Sequence, residues 1–290
     1  MTKTAFIGLG VMGYPMAGHL ASNGHDVTVY NRTTKKAEAW VKEHGGASAD
    51  TPAKAADGCD VVFSCVGNDN DLRSVVYGDD GILAGMKKGA VYCDHTTASA
   101  IAAREIDNTA HNLGIGFLDG PVSGGQAGAE NGALTIMVGG EKKDFDGAEP
   151  VAQAYGKAVT LMGPAGSGQL TKAVNQICIA GLVQGLSEGL AFADKAGLDA
   201  GKVVDVISKG AAQSWQMDNR AETMIGDKFD FGFAVEWMRK DMGIALAEAR
   251  DNGALLPATA LIDQFYAEIT AAGGSRWDTS SLIRLLTRKE

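Results

Sequence analysis

The chain has 290 residues, a formal net charge of −9 at pH 7 and 45% hydrophobic residues. This length allows one large domain or two moderate ones, each with a buried core. The negative charge disfavours nucleic-acid and acidic-membrane partners, because neither attracts a net anion. The sequence has no signal-peptide pattern and no uninterrupted apolar run of membrane-spanning length. We therefore expect a cytoplasmic protein with no nucleic-acid and no membrane partner.

The cysteines and histidines show no metal-ligand spacing. The four cysteines lie in apolar stretches without a C-x-x-C pattern, and we expect them to be reduced core residues: Cys59, Cys65, Cys93 and Cys178. The five histidines are scattered along the chain, and His95 is interpreted as a loop residue. The sequence therefore predicts no metal site.

The first half of the chain alternates short β-branched segments with segments of helical period. In chain order, the predicted strands are "TAFIGLG", "DVTVYNR", "DVVFSCVG", "AVYCDHT", "IGFLDGPV" and "ALTIMVGG". The predicted helices between them are "MAGHLASNG", "TKKAEAWVKEHG", "DLRSVVYG" and "IAAREIDNTAHNLG". Such alternation predicts right-handed β-α-β units, and therefore a doubly wound, mostly parallel sheet with helices on both faces.

The second half has helical period throughout. Strand patterns end with "AVTLMGPAGSG", where Gly and Pro cluster, so we predict an α/β domain over residues 1–163 and an all-α domain over 164–290. A long helix from Gly168 to about Lys195 would span roughly 40 Å at about 1.5 Å per residue, which suits an element that connects two domains. Glycines at every fourth position would let another helix, of this chain or of a second chain, approach one face: Gly181, Gly185 and Gly189.

A glycine-rich loop follows the first predicted strand and precedes the first predicted helix. It has the G-x-G-x-x-G spacing of a dinucleotide-binding loop in the context that this motif requires. Gly8 allows the tight turn, Gly10 lets a pyrophosphate approach the backbone, and Gly13 lets helix and strand pack closely. The helix N-terminus supplies amide donors and a positive dipole. The predicted cofactor contacts are Gly8, Leu9, Gly10, Val11, Met12 and Gly13.

The end of the second predicted strand bears on the choice of dinucleotide. Enzymes that prefer NAD usually carry Asp or Glu there to hold the ribose hydroxyls. This chain reads "VYNRTTKK", which places Asn31 at the acidic position and Arg32 where a 2′-phosphate would lie, with Thr33 as a further donor. The pattern favours NADP over NAD. The alternative is that Thr33 only caps the next helix and Arg32 lies in solvent.

Three further loops are candidate binding segments. The loops "CVGN" and "DHTTAS" follow two strands of the predicted sheet and should lie at the same edge, where ligands bind in open α/β folds. Amides of the first and hydroxyls of the second are predicted to lie near the nicotinamide ribose: Cys65, Val66, Gly67, Thr96 and Thr97. In "DGPVSGG", Asp119 and Pro121 fix a turn, and the amides and hydroxyl of Ser123, Gly124 and Gly125 could hold a carboxylate. Ordinary or flexible loops are the alternative for each.

Four motifs together resemble the β-hydroxyacid dehydrogenase family, which includes 3-hydroxyisobutyrate dehydrogenase and tartronate semialdehyde (2-hydroxy-3-oxopropionate) reductase. They are "FIGLGVMGYPMAGHL", "DGPVSGG", "GSGQLTKAVNQ" and "MRKDMGIALAEA", in the family's order and approximate spacing over essentially the whole chain. The resemblance implies an N-terminal Rossmann domain, a long interdomain helix and an all-α substrate and dimerisation domain. It further implies NAD(P)-dependent hydride transfer with a small 3-hydroxy acid or its semialdehyde. We expect a homodimer or homotetramer.

The resemblance also implies roles for individual residues. It matches Lys172 with the family's catalytic lysine, Thr97 with a cofactor contact, and Lys240 with a lysine that reaches the cofactor or substrate from the second domain. Gln176 stands where some members have a second asparagine, and its amide can still donate a hydrogen bond. The implied substrate contacts are Ser123, Gly124, Gly125, Asn175, Gln176 and Lys240.

The chemistry of Lys172 agrees with the implied role. Asn175 and Gln176 lie three and four positions further along the predicted helix, and therefore on the same face. The positive end of the helix and partial burial both disfavour the ammonium form, which suits a general acid or base. In oxidation the neutral amine would take the hydroxyl proton, and in reduction the ammonium would protonate the alkoxide. A solvated helix lysine is the alternative.

The same sequence disfavours several other functions. An imine reductase-like enzyme is disfavoured because such enzymes generally lack a lysine equivalent to Lys172, and an idle dinucleotide sensor would have lost that group. The short second half disfavours sugar-phosphate substrates. Without the resemblance, Arg239, Lys240 and Asp241 are interpreted as a solvated charge cluster, and Asp278 as the cap of a terminal helix. The aromatic residues are interpreted as core or interface: Trp215, Phe231, Phe233, Trp237 and Trp277.

Overall fold

A computed structural model describes residues 1–287 of the chain. The chain divides into two compact units, one over Met1–Lys172 and one from Ala173 onward. The first unit contains a sheet and its covering helices, and the second is helical. The predicted order, an α/β half followed by an all-α half, is therefore observed.

The first unit is built on one nine-stranded sheet. The strand order is β3-β2-β1-β4-β5-β6-β8-β7, with β9 paired to β8. Strands β1 to β6 run parallel, whereas β8 runs antiparallel to β6 and β7. This confirms the predicted doubly wound, mostly parallel sheet. The strands are β1 Lys3–Ile7, β2 Asp26–Tyr30, β3 Ala47–Ser48, β4 Val61–Ser64, β5 Val91–Asp94, β6 Gly116–Asp119, β7 Val122–Ser123, β8 Leu134–Gly140 and β9 Gly156–Gly163.

Helices cover both faces of this sheet. Neighbouring residues of a strand point to opposite faces, and Phe6 and Ile7 accordingly belong to two separate hydrophobic clusters. Burial on both faces explains why the strands are apolar without alternation. The helices of the first unit are α1 Gly13–Ser22, α2 Thr34–His44, α3 Pro52–Ala56, α4 Asp69–Val76, α5 Ile82–Gly85, α6 Ala100–Asn112, α7 Gly125–Glu130 and α8 Lys142–Ala152.

The second unit is formed by helices around two small apolar clusters. Within residues 164–287 the structure has no strand and one isolated bridge, between Ala234 and Asp278. Asp278 is buried and accepts a hydrogen bond from the Ser280 amide at 3.0 Å, so it caps the last helix as predicted. The helices are α9 Ser167–Lys195, α10 Ala200–Ile207, α11 Trp215–Ile225, α12 Val235–Asn252, α13 Pro257–Ala271 and a 3₁₀ helix Thr279–Leu285.

Helix α9 is long and apolar enough, by length and average composition alone, to cross a membrane. Polar residues such as Gln176 and Glu188 interrupt it, and 44% of its most apolar window is buried within the protein. Core helices of soluble proteins pass the same test, so the finding is weak support for a membrane span.

The cysteines differ in part from the prediction. Cys59 and Cys93 are buried, Cys65 is half-buried, and none of the four cysteines forms a disulfide. Cys178 is exposed on helix α9. The prediction of a core position is wrong for Cys178, because it occupies the outward face of an apolar helix that is buried only on its other side.

Candidate active site

The glycine-rich loop between β1 and α1 has the geometry of a phosphate cradle. Gly8 has φ +96°, and a Cβ there would lie 2.3 Å from the Cys65 carbonyl oxygen. A Cβ on Gly13 would lie 2.0 Å from the Gly8 carbonyl oxygen, so helix and turn pack without room for a side chain. A Cβ on Gly10 would meet nothing within 4 Å. Packing within the protein therefore requires glycine at positions 8 and 13, whereas Gly10 faces open space.

The N-terminus of α1 adjoins that open space. Gly10 and Val11 are exposed, whereas Leu9 is buried and Met12 packs against the core. The first turn of α1 carries no acidic residue, so its amides and positive dipole remain suited to an anion. The loop therefore fits the pyrophosphate of a dinucleotide.

Asn31 ties the glycine loop to the end of β2. Its Oδ1 accepts a hydrogen bond from the Leu9 amide at 2.9 Å, and its Nδ2 donates to the Thr33 carbonyl at 3.1 Å. Arg32 is 90% exposed, with its guanidinium 3.8 Å from the Asp71 carboxylate. Thr33 occupies the N-cap position of α2, as the alternative expected, but its side chain makes no capping hydrogen bond; the exposure of Arg32 also agrees with that alternative.

Asp94 connects the loops that follow β4 and β5. Its Oδ1 accepts hydrogen bonds from Ser64 Oγ at 2.5 Å and Thr96 Oγ1 at 2.7 Å. Thr96 Oγ1 in turn accepts from the Val66 amide at 2.9 Å. Burial raises the pKa of Asp94 to about 7, although the hydrogen bonds from Ser64 and Thr96 act in the opposite direction. The predicted ribose contact of the Thr96 hydroxyl gives way to this internal bridge, since the side chain is buried.

The predicted cofactor loops lie at one edge of the sheet. Strands β1, β4 and β5 are adjacent and parallel, so the segments after them share the carboxyl edge. Cys65, Val66 and Gly67 follow β4, Thr97 follows β5, and all four are half-buried. The edge therefore brings together the glycine loop and both predicted ribose loops.

His95 lies in the loop that follows β5, as predicted, but its side chain is buried in the core. It is buried, stacks on Phe63, donates from Nδ1 to the Gly120 carbonyl at 2.6 Å and accepts at Nε2 from the Tyr155 hydroxyl at 2.7 Å. Burial lowers its pKa to about 4. The ring is therefore neutral near pH 7, and it packs against Phe63 and Tyr155.

Asp119 does more than fix the predicted turn. Its Oδ1 accepts from the Gly166 amide at 2.7 Å and its Oδ2 from the Gln169 amide at 2.8 Å, which are donors at the start of α9. Burial raises the pKa of Asp119 to about 6, with the amide hydrogen bonds opposing the rise. A Cβ on Gly168 would lie 2.5 Å from the Asp119 carbonyl oxygen, so glycine is needed for this approach.

Gln169 joins the start of α9 to the loop after β5. Its Nε2 donates to the Thr96 carbonyl at 2.8 Å, and its Oε1 accepts from the Ala98 amide at 3.0 Å. These contacts bracket Thr97, the predicted cofactor contact. Sequence reasoning missed Gln169, Asp94 and the capping role of Asp119, and their only signal was a polar side chain just after a buried strand or at a helix start.

Lys172 lies beside the predicted carboxylate loop. It is 7% exposed, and its Nζ donates to the Val122 carbonyl at 2.8 Å. Ser123, the next residue, is half-buried, and Gly124 and Gly125 follow with φ of +131° and +61°. These positive φ values favour glycine. Both residues are also exposed. One surface thus carries an amine and a glycine-rich turn able to bind an anion.

The remaining predicted site residues lie in the second unit. Asn175 Nδ2 donates to Gln176 Oε1 at 2.8 Å, and Gln176 Nε2 donates to Asp241 Oδ2 at 2.7 Å. Lys240 Nζ lies 3.1 Å from Asp241 Oδ1. Asp241 is 2% exposed, so its interpretation as part of a solvated cluster is wrong. The sequence did not indicate that Asp241 contacts Gln176 and Lys240, because its helical neighbours Arg239 and Lys240 suggested a surface position.

Two family profiles match the chain. The NAD-binding domain of 6-phosphogluconate dehydrogenase matches residues 3–163, and the NAD-binding domain of NADP-dependent 3-hydroxyisobutyrate dehydrogenase matches residues 166–286. The chain belongs to the 3-hydroxyisobutyrate dehydrogenase-like oxidoreductases.

Relatives of this oxidoreductase are similar over their full lengths. An uncharacterized oxidoreductase of Shewanella frigidimarina is 65% identical, covering 99% of both chains. The 2-hydroxy-3-oxopropionate reductase of Escherichia coli is 35% identical, covering 98% of this chain and 97% of the relative. A solved 3-hydroxyisobutyrate dehydrogenase of Mycobacterium tuberculosis, described with L-serine, is 30% identical with a TM-score of 0.90, covering 99% and 100% of the two chains.

This 3-hydroxyisobutyrate dehydrogenase-like protein is an NAD(P)-dependent oxidoreductase. The predicted family, fold class, enzyme class and dinucleotide cofactor are confirmed. The open space at Gly10 and the helix end behind it are the features of this chain that fit the cofactor.

Proposed function

We propose that the enzyme transfers a hydride between NADP and a small 3-hydroxy acid or its semialdehyde, with Lys172 as the general acid and base. The observation that carries the proposal is the buried Lys172 amine, held against the Val122 carbonyl beside Ser123. A hydroxy acid needs an anion site and a proton-transfer group within one small molecule's length. The first unit has both.

The chain's own residues divide the work between binding and proton transfer. The bound nicotinamide supplies or accepts the hydride. The amides of Gly124 and Gly125 bind the substrate carboxylate, and Ser123 adds a hydroxyl. In oxidation, Lys172 takes the hydroxyl proton as the carbonyl forms; in reduction, its ammonium returns a proton to the alkoxide. The Val122 carbonyl orients the amine between these steps.

The substrate class is supported by the names of two relatives. One is named for 2-hydroxy-3-oxopropionate, and the other was solved with L-serine. Both compounds have a carboxylate and an oxygen on the third carbon. A loop that binds the carboxylate would therefore hold the same carbon beside Lys172 in each of them.

We also propose that the enzyme prefers NADP to NAD. Asn31 provides no carboxylate for a ribose 2′-hydroxyl, and its Oδ1 is already used by the Leu9 amide. The exposed guanidinium of Arg32 follows directly, within reach of a 2′-phosphate at the end of β2.

We propose that the enzyme is a homodimer or homotetramer. Gly181, Gly185 and Gly189 lie on α9, are exposed, and would have nothing within 4 Å of an added Cβ. Leu182 and Phe192 on the same helix are 47% and 72% exposed. Covering such a surface with a second chain removes apolar area from water. The cytoplasmic location and the absence of membrane and nucleic-acid partners stay predictions.

Replacing Lys172 with alanine tests the proposed chemistry. We expect Lys172→Ala to lower kcat for a 3-hydroxy acid by about 10²–10⁴-fold, because a general acid-base group contributes on that order. Binding of NADPH, measured by fluorescence titration, should change less than about twofold, since the variant leaves the glycine loop intact. Lys195→Ala, on the exposed end of the same helix, is the matched control and should keep full activity.

The assay uses a panel of substrates with both cofactors. The panel contains 3-hydroxyisobutyrate, glycerate, serine, 3-hydroxypropionate and 3-hydroxybutyrate, each with the 3-oxo acid that its oxidation would give. Turnover of at least one by the unmodified enzyme is expected, and its persistence in Lys172→Ala would remove Lys172 from the mechanism. Cofactor binding without turnover of any member would favour the idle sensor instead.

A further inference from the structure

A second cluster of chemically active side chains lies between helices α6 and α8, away from the glycine loop and Lys172. His111, in the last turn of α6, has its Nε2 3.4 Å from Asp144 Oδ2 and 3.8 Å from Glu141 Oε1. Glu141 precedes α8 and Asp144 is in its first turn. One ligand atom from each residue lies within 4.8 Å of the other two. The cluster is therefore compact enough to surround a single ion.

Contacts of Nδ1, on the side of the ring opposite the carboxylates of Glu141 and Asp144, fix the orientation of His111. Its Nδ1 lies 3.0 Å from the Asp107 carbonyl oxygen, and Asp107 Oδ1 is also 3.0 Å away. Both neighbours are acceptors, so Nδ1 carries the hydrogen. With its hydrogen on Nδ1, the uncharged form of the ring directs the Nε2 lone pair toward the carboxylates of Glu141 and Asp144. In a metal-binding histidine, one ring nitrogen usually donates a hydrogen bond to a backbone carbonyl, and the other nitrogen binds the metal.

Asp144 lies on α8, across the gap between helices α6 and α8 from His111. It is 5% exposed, and its carboxyl group packs where a Cβ on Gly116 would lie 2.4 Å from Asp144 Cγ. Asp144 Oδ2 and His111 Nε2 are both buried without a hydrogen-bond partner. Two buried acceptors facing each other at 3.4 Å repel unless a positive charge lies between them.

We propose that His111, Glu141 and Asp144 bind a divalent transition-metal ion, with water completing its coordination. Ligand atoms about 2.0–2.1 Å from a metal are themselves separated by roughly 3.0–3.4 Å. The observed separations of 3.4 and 3.8 Å need only a small side-chain movement to reach that range. The imidazole favours Zn²⁺ over Ca²⁺ and Mg²⁺, which take oxygen ligands.

The other charges around the gap allow the ion to bind. Lys143 Nζ lies 2.8 Å from Glu141 Oε2, which leaves Glu141 Oε1 directed toward His111. Asp107 adds a negative charge behind the ring, and Lys143 is exposed and can move away. The bound metal would connect α6 to α8 and thereby stabilise the packing of α8 on β5 and β6.

Metal titration of the whole protein tests the site. The tag-free enzyme is treated with a chelator, dialysed at pH 8, where histidine is ordinarily neutral, and titrated with Zn²⁺, Mn²⁺ or Ca²⁺. We expect one Zn²⁺ per chain by calorimetry, and a rise in Tm of roughly 5 °C at a hundredfold excess over Kd. Added Co²⁺ should give visible d–d absorption. A response to Ca²⁺ equal to that to Zn²⁺ would overturn the assignment of His111 as a ligand.

Two variants and one control locate the ion. His111→Gln and Asp144→Asn should each weaken Zn²⁺ binding at least tenfold and abolish the Co²⁺ absorption. Asp144→Asn keeps the shape of the buried side chain, so its fold is retained. Asp146→Asn, which changes an exposed carboxylate of the same helix, should bind Zn²⁺ like the unmodified enzyme. Equal binding by all four proteins, or no binding to any, would refute the proposal.

Discussion

Asn31 and Arg32 are the residues that bear most directly on the choice between NADP and NAD. Asn31 is committed to the Leu9 amide, whereas the Arg32 side chain reaches into solvent. Under the proposed NADP preference, a 2′-phosphate would meet the Arg32 guanidinium, and a 2′-hydroxyl would meet the amide of Asn31 instead of a carboxylate at that position. We propose that the two neighbouring residues act in the same direction on specificity.

Replacing Arg32 with alanine should separate the two cofactors. We expect Arg32→Ala to raise KM for NADPH roughly tenfold, because a charge-assisted contact to the 2′-phosphate is lost, and to leave KM for NADH within about twofold. Steady-state kinetics with both cofactors measures the ratio. Lys42→Ala, at the far end of α2, is a matched loss of one positive charge and should change neither value. An equal effect of Arg32→Ala on both cofactors would contradict the proposed preference.

The residues that sequence reasoning missed have partners far away in the chain. Asp119 binds amides 47 and 50 positions later, and Gln169 binds a carbonyl 73 positions earlier. No local pattern marks such pairs, since each residue alone is typical of a turn or a helix start. His111 is a similar case: the histidine spacing lacks a ligand pattern, but the carboxylates that face it come from a helix 30 or more residues later. Only the fold brings these groups together.

The glycine loop is the element whose function follows most directly from its geometry. Gly13 is closed in by the backbone of Gly8, and Gly10 faces open space. The same residue type thus serves packing at one position and access at the other. The distinction is testable because alanine adds the same single carbon at both.

Alanine at these two glycines should have opposite effects. Gly13→Ala should destabilise the protein by about 1–3 kcal/mol or more, because its Cβ would overlap a backbone oxygen. Gly10→Ala should change the free energy of unfolding by less than about 0.5 kcal/mol and raise Kd for NADPH by about tenfold or more, since the methyl group keeps the pyrophosphate from the backbone. Urea denaturation and fluorescence titration measure the two quantities. Similar stability losses in both variants would contradict this division of roles.

Among the elements, the sequence predicted those with strong periodic patterns. The parallel strands and the helices between them were identified because burial on both faces leaves long apolar segments. The prediction from the sequence did not include β3 and β7, which have two residues each. It also did not include α8, which begins with charged residues and contains Pro150. Short strands exist through pairing with distant neighbours, and the pattern of α8 is weak because its polar face is exposed. Local composition therefore carries little information about them.

At the scale of the whole molecule, the predicted division of the chain lies close to the observed one. Domains were predicted to meet at residues 163 and 164, and the compact units separate after Lys172. The difference arises because the Gly-Pro cluster marks where strands end, whereas the first turns of α9 are held by Asp119 and Gln169 within the first unit. Composition locates a change of structure, and hydrogen bonds decide to which unit a segment belongs.

The predicted oligomer can be tested on the open face of α9. Light scattering should give a mass of two or four chains for the unmodified enzyme. Gly185→Glu should shift the population to monomer, because a charge would enter an apolar contact, while helix content stays unchanged or rises. Gly243→Glu, at an exposed helical glycine of α12 with nothing within 4 Å of its Cβ position, should keep the assembly. A monomeric enzyme, or an assembly unaffected by Gly185→Glu, would contradict the prediction.

The cap that Asp119 forms on α9 also sets a rotational register. Each helical residue turns the chain by about 100°, so a side chain's direction depends on its count from the first fixed turn. With the Gly166 and Gln169 amides held by one carboxylate, the direction of Lys172 toward the Val122 carbonyl is determined by the residues between them. One inserted or deleted residue in that short segment would swing the amine to another side of the helix while leaving every contact of the sheet in place.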